Sequence, residues 1–265
     1  MPDEALVEYD DVTLRRVGKL AVLTLDRPAA RNAISTAVAI SLAQACAEVA
    51  ADQWTRAVVF ASSSPVAFCA GADLKERAEF SDEELLAQRP TMQAAFAALL
   101  ALPQPVVAAV AGPALGGGLE LALSCDLIVA DTTAILGLPE VTVGLIPGGG
   151  GTQLLARRVG HGRAAELIFT GRRVDSVEAE RIGLVDRVVP AGGALDAATE
   201  LAGQIAANSP VGVRAAKRAM RSPELFEGLD LEDRAWRLVA VSADRREGIS
   251  AFVEKRAPQW PEPLS

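Results

Sequence analysis

Two glutamates carry most of the chemical content of this chain, Glu120 and Glu140, each set among apolar residues. Glu120 lies in Ala114-Leu-Gly-Gly-Gly-Leu-Glu-Leu-Ala-Leu-Ser-Cys-Asp126, with Leu119, Leu121, Ala122 and Leu123 around it. A carboxylate enclosed by hydrocarbon is costly unless it is paired, neutral or functional. Glu140 lies in Gly137-Leu-Pro-Glu-Val-Thr-Val-Gly144, where Pro139 fixes the local backbone. Two carboxyls in one dry pocket can hold different protonation states, one acting as acid and the other as base. Gly116 to Gly118 can bring bare backbone N–H groups against a ligand. A helix starting there turns its free N–H groups and the positive end of its dipole toward whatever sits in front. The Gly71-Ala72-Asp73 turn can supply one more N–H. Donors from Ala72 and Gly117 together would form an oxyanion hole for a developing negative charge. A plainer reading stays open: a tight turn into a core helix, with Glu120 salt-bridged. Spacing alone does not bring the two acids to one place.

Other candidates narrow the chemistry. Asp73 reads as a helix cap rather than an acid, and Lys75 as a solvated lysine or a contact to a ligand phosphate. The Gly148–Gly151 loop lacks the Lys-Ser/Thr of a phosphate-binding loop, and no G-x-G-x-x-G follows a strand, which disfavours an NTPase or a dinucleotide enzyme. The single histidine, His161, falls between two glycines in an expected surface turn. Ser124 has no nucleophile-elbow context, so a Ser-His-Asp triad has little to rest on. Cys46, Cys69 and Cys125 are too scattered for a disulfide framework or a metal site, which fits a reducing, cytoplasmic compartment. The opening Met1-Pro-Asp-Glu-Ala5 shows no targeting signal, and no apolar run is long enough for a membrane span. A net charge of −8 argues against a broad nucleic-acid surface.

The elements that must position these residues follow from the apolar pattern. Aromatics make up only 4% of the chain, so the core must be built from small aliphatic side chains. Val12 to Arg16 and Leu20 to Asp26 read as strands around a turn at Gly18. A helix capped by Asn32 or Ser35 runs to about Ala51. Arg56 to Ala61, Val106 to Ala111, Leu127 to Ala130 and Val185 to Val189 read as buried strands. Ser81 with Glu84 resembles a capping box and opens a helix to about Ala101, which Pro90 should break or kink. A strand–loop–helix phrase occurs at least twice, without sequence identity between its copies. Beyond Pro190 the pattern is wholly helical, at about 194–207, 210–221 and 225–254, with Gly228 and Gly248 as places where the last could divide. The chain thus reads as an α/β body over 1–190 and a helical C-terminal region over 191–265.

Taken together and in order, these motifs resemble the crotonase superfamily, the enoyl-CoA hydratases and isomerases. The resemblance rests on Leu25-Asp-Arg-Pro28 with Asn32-Ala33, Phe68-Cys-Ala-Gly-Ala-Asp-Leu-Lys75, Ala114-Leu-Gly-Gly-Gly-Leu-Glu120, Cys125-Asp126 and Pro139-Glu140. It continues through Ile146-Pro-Gly-Gly-Gly-Gly-Thr-Gln153 and the tail Asp244-Arg-Arg-Glu-Gly248 with Ala251-Phe-Val-Glu-Lys-Arg256. Cys69, Leu119 and Glu166-Leu-Ile-Phe169 look most like the branch holding methylglutaconyl-CoA hydratase and its AU-rich-RNA-binding members. The resemblance implies a spiral of ββα units with a helical C-terminal region that builds trimers, often paired as hexamers. It implies reversible hydration of a trans-2-enoyl-CoA thioester in fatty-acid or branched-chain metabolism, with isomerase or methylglutaconyl-CoA hydratase activity as alternatives. Glu120 and Glu140 match the hydratase acids, and the Ala72 and Gly117 amides match the oxyanion hole. Arg27, Asn32, Ala70, Ala72, Asp73, Leu74, Lys75 and Gly117 match the region that holds the CoA ester. Phe252 and Lys255 match a tail position that often reaches a neighbouring subunit's CoA. No metal or separate cofactor is implied, since CoA is part of the substrate. RNA binding is the alternative from a different class, and the acidic balance counts against it.

Overall fold

The computed structural model describes residues 6–221 and 223–259; the N-terminal stretch examined above for a targeting signal lies outside them. After two antiparallel strands, β1 (Leu6–Tyr9) and β2 (Val12–Val17), the chain enters a spiral in which one phrase recurs. Each turn gives one strand to a large sheet, one short strand to a small sheet, and then a helix. The first turn is β3 (Leu20–Leu25), a bridge at Ile34, and α1 (Thr36–Ala51). The second is β4 (Ala57–Ser62), the Cys69–Ala72 segment, then α2 (Leu74–Ala78) and α3 (Asp82–Leu100). The third is β5 (Val106–Val110), β6 (Pro113–Leu115) and α4 (Gly117–Ser124). The fourth is β7 (Leu127–Asp131), β8 (Ile135–Gly137), a 3-10 turn (Glu140–Val143), α5 (Gly151–Val159) and α6 (His161–Thr170). Next come β9 (Val174–Asp175), α7 (Ser176–Arg181) and β10 (Arg187–Val189).

The large sheet has seven strands in the order β1-β2-β3-β4-β5-β7-β10, parallel from β3 onward. The small sheet is β6-β8-β9, and single bridges Ile34–Ala72 and Cys69–Ala114 continue it toward the first turns. Of these second strands, β6 and β9 are too short to read as strands in the sequence. The repeat was therefore visible only as strand, loop and helix.

The central strands β4 and β5 of the large sheet are almost wholly apolar because both faces are covered. Val58, Phe60, Val106, Ala108 and Val110 turn toward the core shared with α1, α3 and α4. Ala57, Val59, Ala61, Val107, Ala109 and Val129 turn the other way, onto α8 (Ala194–Ala206). That helix presents Ala194, Ala198, Ala202 and Ala206, one small residue per turn. It forms a third layer on the sheet of the α/β body.

Helix starts follow their caps. Ser35 accepts from Val38 N, and Ser81 and Glu84 form a complete capping box. The expected break at Pro90 does not occur, since α3 runs through it. Pro90 lies on the exposed side of the helix. Buried Leu85, Gln88, Arg89 and Met92 on either side hold the axis across the missing hydrogen bond. The C-terminal region continues with α9 (Pro210–Met220), α10 (Pro223–Ala240) and α11 (Ala243–Glu254). The last helix divides neither at Gly228 nor at Gly248. It divides at Ser242, whose hydroxyl caps α11 by accepting from Arg245 N. No helix among the described residues is long and apolar enough to cross a membrane.

Candidate active site

Glu120 enters the site from the first turn of α4. Gly116 precedes that helix at φ 54°, a left-handed conformation that costs a glycine little. The Glu120 side chain is buried, and its Oε1 accepts from Gly149 N at 2.7 Å and Gly151 N at 2.8 Å. Burial pushes this carboxyl up to about 7, and the charge of Glu232 adds to the rise. The Gly151 and Gly149 amides and Arg89 pull the other way. The balance favours an ionisable group with an anchored oxygen.

Glu140 stands on the 3-10 turn, and α11 clasps that turn by backbone contact. A methyl added at Gly144 would fall 2.3 Å from the Asp244 carbonyl oxygen. One added at Gly248 would fall 2.4 Å from the Val143 carbonyl carbon. Only hydrogen at both positions lets helix and turn lie so close. The Glu140 carboxyl meets the α4 turn from the other side, since a Cβ on Gly116 would lie 3.0 Å from its Oε1. Its Oε2 is shut from solvent and has no partner among the described residues. Burial, and then the charge of Glu120, raise Glu140 well above the usual carboxylate range. Each acid disfavours ionisation of the other; two loop amides favour the charged form of Glu120, and its own backbone N–H favours that of Glu140.

A third acid, Glu232 on α10, was not singled out in the sequence. It is 4% exposed and accepts from Gly150 N at 2.6 Å, Thr152 N at 2.8 Å and Thr152 Oγ1 at 2.6 Å. The glycine-rich loop is therefore held between two carboxylates, with alternate amides turned to Glu120 and Glu232. A run of four glycines offers successive N–H groups and no side chain to satisfy them, so such acceptors had to exist. Three further residues escaped the sequence reading. Arg89 donates to Gly148 O at 2.6 Å and to Asp233 at 2.7 Å, and stacks 4.3 Å from the Trp236 ring centre. Arg77 lies 5.7 Å from the same ring. Inside their helices the two arginines pattern as ordinary charged positions.

Opposite the acids lie the two amides. Ala72 pairs with Ile34 through its neighbours: Ile34 N donates to Gly71 O and Asp73 N to Ile34 O. The Ala72 N–H stays free among the described residues, and Gly117 N–H, at the first position of α4, has no partner within its helix. A Cβ placed on Gly117 would lie 3.6 Å from Ala72 N, which puts the two donors on adjoining loops. A cavity of about 370 Å³ is lined by Ala72, Gly117, Glu120 and Glu140 together. The apolar remainder includes Leu74, Met92, Phe96, Leu145 and Ile146.

A cavity lined by two free amides and two acids suits a carbonyl compound that gains and loses a proton beside its carbonyl. Comparison with known proteins agrees. The family model for enoyl-CoA hydratase/isomerase matches residues 15–263. The chain belongs to the enoyl-CoA hydratase/isomerase family. YngF of Bacillus subtilis, whose name describes an enoyl-CoA hydratase/isomerase, is 46% identical over 89% of this chain and 92% of its own. The solved enoyl-CoA hydratase of Bacillus anthracis is 40% identical with TM-score 0.78, covering 94% of this chain and 98% of that one. The carnitinyl-CoA hydratase of Mycobacterium avium is 37% identical with TM-score 0.86, covering 96% and 99%.

Against the site pattern expected of this crotonase family, the structure gathers some residues and sets others apart. Ala70, Ala72, Leu74, Gly117, Glu120, Glu140 and Phe252 all line the one cavity. Asn32 does not. It is 1% exposed, accepts from Arg27 N, and donates to Ser62 Oγ and Phe68 O. It is a scaffold residue with no polar group left for a ligand. Asp73 caps α2 by accepting from Lys75 N and Glu76 N, and pairs with Arg27 at 2.7 Å. Arg27 also donates to Ala33 O. Asp73 and Arg27 therefore brace the loop that presents Ala72. Lys75 is exposed outside the cavity. Phe252 lines the cavity of its own chain, because α11 docks on its own 3-10 turn. Lys255 is the exposed, left-handed C-cap of α11, beyond that cavity.

Proposed function

We propose that this enzyme hydrates a trans-2-enoyl-CoA to the 3-hydroxyacyl-CoA, reversibly. The observation that supports this over other chemistry in the family is the different setting of the two acids: Glu120 is anchored by two amides, and Glu140 has an oxygen closed off from solvent with no partner among the described residues. The thioester oxygen lies between Ala72 N–H and Gly117 N–H. Glu120 takes a proton from water as the water oxygen bonds to C3. The displaced electron pair moves onto the thioester oxygen, where the two amides stabilise it; losing one such donor typically costs about 100–1000-fold in rate. Glu140 then delivers its proton to C2 as the carbonyl re-forms. A proton passed from Glu120 to Glu140 restores the starting state, and the same groups run the reaction backwards with roles exchanged. The CoA portion lies along Ala70 to Lys75, with Lys75 free to meet its phosphates.

The test is turnover of crotonyl-CoA, followed by loss of enoyl absorbance in water enriched in oxygen-18. Label in the 3-hydroxy product supports hydration. Double-bond migration without label replaces it with isomerisation. The trimeric assembly expected from the resemblance belongs to the same proposal, and exposed Phe169, Val211 and Met220 offer apolar surface for it. Sedimentation velocity reads the outcome.

A further inference from the structure

Behind the reacting cavity lies a second one, of about 340 Å³, and an aromatic ring stands between them. Phe96 on α3 lines both, as do Gly148 and Gly149 of the glycine loop. The ring is buried and fits against two glycines that serve the site. A Cβ on Gly149 would fall 2.6 Å from the Phe96 ring, and one on Gly117 would fall 3.5 Å from it. Gly149 donates to Glu120, and Gly117 carries one of the two free amides. The ring therefore stands beside the reacting groups. It has little room to swing aside, because it meets the loop whose amides Glu120 and Glu232 hold. Among the described residues, the second cavity is lined by Ala94, Ala97 and Leu100 of α3 and by Leu229 of α10. Ala94 and Ala97 are exposed, so the α3 wall of this groove is low. Asp230 and Glu232 also line it, which suits a neutral chain rather than an anionic one.

We propose that Phe96 sets the length of acyl chain this enzyme accepts, by closing the reacting cavity against a second one that would otherwise take the end of a longer chain. This rests on the acyl-CoA reading above and narrows it. With the thioester oxygen held at Ala72 and Gly117, the reacting carbons lie beside Glu120 and Glu140. A chain running on from C3 toward the second cavity meets the ring. A packed interior resists such an intrusion, because overfilling it displaces side chains and backbone. Here the backbone to be displaced is that of Gly149, whose amide anchors the base. A long chain therefore loses binding and also disturbs Glu120. Removing the ring joins the two cavities, and each methylene buried in the joined space should then add about 4-fold in affinity.

Saturated esters test this, because they bind without being hydrated. Calorimetry with butanoyl-CoA and octanoyl-CoA gives each enzyme its own affinity ratio, so a general loss of stability does not imitate the result. The wild type is expected to bind octanoyl-CoA no more tightly than butanoyl-CoA. Phe96→Ala is expected to move the ratio toward octanoyl-CoA by at least about 10-fold, against four more methylenes at about 4-fold each. Phe96→Leu removes less of the wall and should move it the same way by less. Ala97→Trp fills the second cavity from its far side. Alone it should leave the wild-type ratio as it is, and combined with Phe96→Ala it should cancel the gain. Tighter octanoyl-CoA in the wild type overturns the inference. So does an unchanged ratio in both Phe96 variants, or a gain that survives Ala97→Trp. The hydratase reading is scored separately with crotonyl-CoA and trans-2-octenoyl-CoA. Hydration of both by the wild type at equal kcat/KM overturns this inference alone. The expected binding ratios without hydration of either support it and overturn the hydratase reading, and binding of neither saturated ester overturns both.

Discussion

Glu120 is held from inside the spiral and Glu140 from outside it. The first rides on a core helix, its carboxylate anchored by two amides of the glycine loop. The second rides on a single 3-10 turn that a C-terminal helix grips through two glycines, and one of its oxygens has no partner among the described residues. In the proposed mechanism the same residue type is divided into base and acid by its supports. The sheet-borne part of the molecule supplies Glu120 and the amides. The 3-10 turn supplies Glu140, and α11 braces that turn from outside.

The largest effect should come from removing the donor. Glu140→Gln keeps size and polarity but has no proton to deliver, and should lower kcat for crotonyl-CoA hydration about 100–10,000-fold with an unchanged far-UV CD spectrum. Wild-type turnover in this variant would erase the contrast between the two acids. A smaller loss should follow from loosening the outer support. Gly248→Ala places a methyl against the Val143 backbone, displaces the Glu140 turn, and should cost about 100-fold in kcat, as misplacement by about 1 Å can. Gly162→Ala, where an added Cβ meets nothing within 4 Å, should leave turnover as it is. Equal kinetics in the two alanine variants would show that α11 does not position Glu140.

The two supports also differ in how far they can be read from sequence. The inner one announces itself locally: the Gly116–Gly118 turn, the acid among leucines and the Ser35 and Ser81 caps are each a few residues long. Of the small-sheet strands, β6 and β9 were missed because two or three residues carry no period. The outer support is made of contacts between segments far apart in the chain. Gly144 meets Asp244, and Gly150 meets Glu232. In Asp230-Leu-Glu-Asp-Arg234, Glu232 patterns as one more charge on a solvated helix face. The alanine stripe of α8 likewise does not say which sheet face it covers. Pro90 misled for the related reason that burial on both sides of a residue can override its local preference.

The pH profile sharpens the comparison further. Hydration requires Glu120 ionised and Glu140 protonated, so kcat/KM should rise with pH to a limb near the Glu120 value of about 7, then fall as the pair loses its second proton. The negative charge of Glu232 helps hold Glu120 up. Glu232→Gln keeps an acceptor for the loop amides and removes that charge, so the acid limb should move to lower pH. A limb that stays in place would show that burial alone sets Glu120.

The smallest effect is on stability, and it has a defined sign. Glu140 has a folded-state pKa above its unfolded value of about 4.5, so the folded chain holds this proton more tightly than the unfolded chain does. The stability that proton contributes is fully present below about pH 4.5 and is lost as pH rises through the folded-state pKa. Glu140→Gln is neutral at every pH and escapes that loss. Its Tm should match the wild type near pH 4.5 and exceed it increasingly toward pH 8, by about 2–4 °C for each kcal/mol in a chain of this length. The corresponding Gln at position 120 should gain less, because Glu120 already has two amide donors that favour its charged form. If the two substitutions gave the same pH-dependent gain, the supports would be energetically alike, and the division of acid from base would have to come from the substrate instead.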